Sequence, residues 1–308
     1  MLLKHNIPVT YIFGKIRNEA LMVTVYSVVI AIIYDRLHFT RISIPIAVPT
    51  ILGTVISLLL AFKSNQAYDR WWEARNLWGS IVNDSRTLTR QLLTFVDTHL
   101  AANEGTAFCE RVAKRQIAWS YALSQQLRKK DVFEGLGNFI SAEDRECLER
   151  YDNVPMALLE LQAHDIRNAY KLGWLNDLQQ VELDKTLTRF SNHMGGCERI
   201  KNTVFPATYS VYIHFSLLLF IMLLPFGLIE FFGIVEVPLV VAISCSFFLI
   251  EKMAIHLQDP FENKPTDTPT TALSQTIERD VKQMLKEHCT PKKKPAKDLR
   301  ERGVFYIL

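Results

Sequence analysis

The chain has 308 residues, of which 49% are hydrophobic and 22% charged. That is too charged for an all-membrane bundle and rich in apolar residues for an ordinary soluble domain. A net charge of only +3 gives no general affinity for nucleic acid.

The apolar residues gather toward the two ends and leave a charged middle. The first apolar run, Ala20 to Tyr34, follows Lys15 and Arg17. No cleavage pattern accompanies it, so it reads as a retained span for residues 20–34 that borrows flanking residues to reach spanning length. Ile42 to Phe62 is a second run without a charge. It continues into Lys63 and then Tyr68-Asp-Arg-Trp-Trp-Glu-Ala-Arg-Asn-Leu-Trp-Gly79 with no Pro or Gly before Gly79. One rod is therefore expected to pass from an apolar half into a charged, tryptophan-bearing half. Trp71, Trp72 and Trp78 fall on different faces of that rod, so at least one is expected to pack rather than form an interfacial belt.

The middle reads as helical. Trp71, Ala74, Trp78, Ile81, Val82, Ser85, Leu88, Leu92 and Val96 recur at steps of three and four. Val112 to Leu127, Ala157 to Tyr170 and Gln179 to Phe190 predict further helices, and Val132 to Asn153 a loop-rich stretch. A third span is expected within Val204 to Ile229, where His214 is the only acidic or basic side chain. A fourth lies between Ile234 and Ile255, with Pro225, Gly227 and Gly233 marking the break between them. Glu230 and Glu236 are expected to bracket the connecting loop. Thr268-Pro269 then opens an amphipathic helix, and Lys292 to Lys294, Lys297, Arg300 and Arg302 form a basic tail with affinity for anionic lipid.

Four spans put both termini on one side together with the long middle. Positive charge near the span ends assigns that side to the cytoplasm. The expected plan is 1–19 cytoplasmic, 20–62 two spans, 63–205 a cytoplasmic helical domain, 206–256 two more spans and 257–308 a cytoplasmic loop, helix and tail. Five cysteines, odd in number and without a CxxC pair, fit a reducing compartment better than a disulfide framework. GxSxG, P-loop and dinucleotide motifs are lacking, and His256 with Asp259 and Glu251 matches no metalloprotease spacing. Asp69, Arg70, Glu73 and Arg75 read as structural ion pairs. No catalytic residue, cofactor or metal is expected. A gated channel and a membrane scaffold or enzyme are the two classes left.

Three segments resemble the bestrophin family in its prokaryotic branch: Tyr68 to Gly79 after an apolar helix, Gly195-Gly-Cys-Glu-Arg-Ile-Lys-Asn-Thr203 with Pro206, and Asp259-Pro-Phe261 after the last span. The resemblance implies an all-α homopentameric ion channel in the inner membrane, with five second spans around one pore. It implies an apolar neck at Thr54, Leu58 and Phe62, whose i, i+4, i+8 spacing puts them on one helix face. Thr54 departs from the usual apolar residue there. A cytoplasmic aperture is implied near Leu178, or Val181. Small anions, chloride first, are the implied cargo; a monovalent-cation channel of the same fold is the alternative. The calcium loop of eukaryotic members corresponds to Asp259 to Asp267, but its acidic run is missing and Lys264 intervenes, so no calcium site is expected.

Overall fold

The computed structural model describes residues 13–37, 44–96, 98–203 and 206–287. The basic tail, the chain before residue 13 and the link across residues 38–43 lie outside the described residues. The elements are α1 (Arg17–Leu37), α2 (Ala47–Phe95), α3 (Thr98–Leu127), α4 (Ala142–Leu148), α5 (Val154–Lys171), α6 (Asp177–Asn202), α7 (Ala207–Phe232), α8 (Glu236–Gln258) and α9 (Thr270–Met284). A 3₁₀ turn, Gly233–Val235, joins α7 to α8. No strand occurs among the described residues.

Contacts divide the chain into two compact units. One is built on Trp72–Thr203 and the described chain from Pro260; the other on the described chain up to Trp71 and on Val204–Asp259. Three stretches are long and apolar enough to cross a membrane: Arg17–Arg36, one within Ala47–Phe95, and Ala207–Gln258, which holds both α7 and α8.

The apolar unit packs α1 against α8 and α7 against α8. Its interior holds Val23 of α1, Ile56 and Leu60 of α2, Leu217, Phe220 and Leu224 of α7, and Val240 and Phe248 of α8. Close approaches depend on glycine. A Cβ on Gly53 would meet the Phe220 ring at 3.0 Å, and one on Gly227 would meet Pro49 Cγ at 2.7 Å. The proline ring has no side-chain freedom to yield. Gly227→Ala is therefore expected to cost about 1–3 kcal/mol of stability, the usual range for overpacking. A lowered melting midpoint of the detergent-purified protein checks this.

Pro225 and Gly227 do not break the chain, contrary to the sequence expectation. Both lie inside the 26 residues of α7. A spanning helix tolerates Pro where neighbouring helices shield the freed carbonyl, and Gly227 is spent on the contact with Pro49. The break falls at Gly233, whose φ of 50° only glycine adopts readily. Glu236 bounds the connecting turn, as expected. It opens α8, is fully buried, and neither carboxylate oxygen has a hydrogen-bond partner. The second span also starts later than the charge pattern implied, at Ala47 after the Pro45 turn.

In the helical unit, α3 packs against α5, α6 and α9. Trp78, Ile81, Leu88 and Leu92 of α2 are fully buried, and Trp119 stacks at a tilt on Phe190 with ring centres 5.0 Å apart. The polar core is paired across helices: Gln116 donates to Ser85 Oγ at 3.0 Å, and Thr186 to Gln91 Oε1 at 2.8 Å. Arg115 of α3 forks both ways. Its Nε and Nη2 donate to Asp144 at 2.9 and 2.8 Å, and Nη1 donates to Asp165. The loop-rich stretch contains a short helix, α4, capped by Ser141, whose hydroxyl accepts from the Asp144 amide. α6 starts on a capping box between Asn176 and Gln179.

Candidate functional site

α2 runs 49 residues without a break. Its first half has two faces. Ile56, Leu60, Lys63 and Ala67 recur at helical spacing and are buried. Thr54, Leu58 and Phe62 lie on the other side, with Leu58 58% and Phe62 54% exposed. Ile51 and Val55 share that exposure. An apolar face left this open on a single chain calls for a partner or a special environment. Hydroxyls along it are satisfied within the helix: Thr50, Thr54 and Ser57 each donate to the carbonyl four residues back, at 2.8, 2.9 and 2.7 Å. Thr54 thus offers less free polarity to the face than its residue type implies.

Behind that face sits a charged cluster. Lys63 is fully buried and its Nζ has no hydrogen-bond partner. Glu251 of α8 is 2% exposed, and His214 Nδ1 of α7 lies 3.1 Å from both of its oxygens. Lys252 pairs with Glu19 of α1 at 2.9 Å. Sequence reasoning missed this assembly. The signals were present: Lys63 falls one heptad after Ile56 on the buried row, His214 is isolated in its helix, and Glu251 is an acid within an apolar one. A titratable side chain within a spanning segment is a functional hypothesis by default.

Leu178 and Val181 lie at the start of α6, in the helical unit, and are 78% and 51% exposed. A large apolar side chain that open is not part of the single chain's own core. Glu73 pairs with Arg199 at 2.7 Å, a structural ion pair as its sequence context implied. Glu251 pairs with His214. In the loop after α8, Asp267 accepts from the Lys264 amide at 2.9 Å and Lys264 pairs with Glu262. No group of three or more His, Cys, Asp or Glu able to hold a metal occurs among the described residues. Burial pushes the Cys109 thiol up to about 11 and Cys197 to about 12, so neither is a reactive thiolate at neutral pH.

A family profile described as bacterial/fungal bestrophin protein matches residues 7–283. A voltage-dependent anion channel-forming protein of Ralstonia nicotianae is 34% identical over 240 residues, covering 77% of this chain and 76% of its own. A voltage-dependent anion channel-forming protein of Escherichia coli K12 is 30% identical over 284 residues, covering 92% and 90%. Among solved structures, a bacterial bestrophin homolog from Klebsiella pneumoniae superposes with a TM-score of 0.80 at 29% identity, covering 89% of this chain and all of that one.

Proposed function

The chain belongs to the bacterial and fungal bestrophin family, and from that premise we propose that it is an integral membrane channel for small anions, chloride foremost. The observation that carries the reading is the exposed stripe of Thr54, Leu58 and Phe62, opposite a buried row on the same helix. A ring of such helices closes these side chains around a common axis as a hydrophobic neck, which gates by wetting and dewetting. The ring is a homopentamer, and Leu178 lines a second constriction at the cytoplasmic exit. The protein sits in the inner membrane with four spans and both termini cytoplasmic, and its basic tail meets anionic lipid.

The anion preference draws on the names of the relatives, since an apolar neck has no charge of its own with which to choose. Membership of a family whose named relatives are anion channels favours a channel over an enzyme. The test is single-channel recording of the purified protein in planar bilayers. Unitary currents with chloride as the only permeant anion are expected. Silence across ions and voltages would sink the channel reading in favour of a scaffold.

A further inference from the structure

Pro49, Ile56 and Leu60 are buried and Gly53 is half-buried, while Thr54 and Leu58 are exposed. Helical geometry makes the first four the rear of the stripe. Pro49 lies roughly 180° and Gly53 roughly 140° around α2 from Leu58, at 3.6 residues per turn. This rear face meets α7 at two levels without room to spare. Pro49 Cγ is 2.7 Å from where a Cβ on Gly227 would lie. Cε2 and Cζ of Phe220 are 3.0 and 3.3 Å from where a Cβ on Gly53 would lie. Phe220 is itself buried, and the Phe247 side chain of α8 is tilted against it with ring centres 5.2 Å apart. Interiors packed this closely transmit a displacement rather than absorb it.

We propose that Phe220 is a positioning residue for the neck: seated on the bare Cα of Gly53, its side chain sets how far α2 stands toward the pore axis. This rests on the neck reading above. Gly53 directly precedes Thr54, so the contact acts at the level of the first residue of the stripe. A methyl group at position 53 requires a shift of a few tenths of an ångström. With Phe220 held by Phe247, α2 is the member that moves, and it moves away from α7 and toward the axis. Every subunit of the assembly does so together, and the neck narrows. Shortening Phe220 acts the other way. Surroundings relax partly into the space that a truncated core side chain leaves, so α2 settles back and the neck widens.

Single-channel amplitude of the reconstituted full-length protein tests this. It reads the open pore and not the number of folded channels, so a merely structural role for Phe220 leaves it unmoved. Phe220→Leu is expected to raise the amplitude about twofold and Gly53→Ala to lower it about twofold, through the wetting of an apolar constriction. The double variant Gly53→Ala/Phe220→Leu should return close to the wild-type amplitude, because the added methyl group fills the space that the shorter side chain leaves. Phe220→Leu alone decides if Gly53→Ala yields no channels. Phe220→Leu at the wild-type amplitude, or a double variant that keeps the amplitude of either single one, overturns the inference. The neck reading survives that result if Leu58→Ala still conducts more than wild type. A wild-type amplitude in Leu58→Ala overturns the neck reading and this inference together.

Discussion

Leu58→Ala is expected to raise unitary conductance at least threefold. Leu58 stands midway along the stripe, one turn from Thr54 and one from Phe62, and its side chain is 58% exposed on the single chain. In a ring, every subunit contributes one such leucine to the narrowest level. Truncating all of them widens the level and lowers the cost of keeping it wet. A threefold gain needs only about 0.7 kcal/mol off the barrier, at roughly 1.4 kcal/mol per factor of ten. Phe62→Ala should act in the same direction. Val211→Ala serves as the control, because Val211 is just as open, at 62%, but lies on α7. Single-channel amplitudes decide the matter: equal amplitudes in wild type and Leu58→Ala would move the constriction off this stripe.

Loss of Arg115 should be the most damaging single change to stability. The side chains of Arg115, Asp144 and Asp165 are 7%, 13% and 15% exposed, and the guanidinium holds both carboxylates. Arg115→Met leaves two partly buried acids facing a methyl group. Arg111, which reaches Asp165 at 3.0 Å, compensates only one of them. Removing one partner of a buried charge network typically costs about 3–5 kcal/mol. The variant should melt well below wild type in detergent. Adding Asp144→Asn, which removes the stranded charge, should recover part of the loss. A melting midpoint equal to wild type would mean that water reaches this site freely.

Most of the helical architecture was legible in the sequence. Its stripes are long and its apolar runs are uninterrupted, and Trp78 to Val96 fall on the buried row that their spacing implied. The errors arose where one residue could serve two purposes. Pro225 and Gly227 read as a break because both are helix breakers in water. In an apolar unit the same glycine buys close contact with Pro49, and Gly233 makes the turn instead. Glu236 bounds the connecting turn as its position implied, but its full burial at the first position of α8 had no signal in the sequence. The stripe of Thr54, Leu58 and Phe62 came from the family resemblance, and its local spacing says only that the three share one helix face. The Lys63, His214 and Glu251 cluster was not legible, since it joins three helices far apart in sequence. Each member alone looked like a tolerated polar residue.

The central claim is that anions pass through a pore built on the face of Thr54, Leu58 and Phe62. The reversal potential of the reconstituted wild-type protein in a sodium chloride gradient tests it most directly. The account predicts reversal close to the chloride equilibrium potential, kept in Leu58→Ala alongside its larger conductance. Reversal close to the sodium equilibrium potential would contradict it.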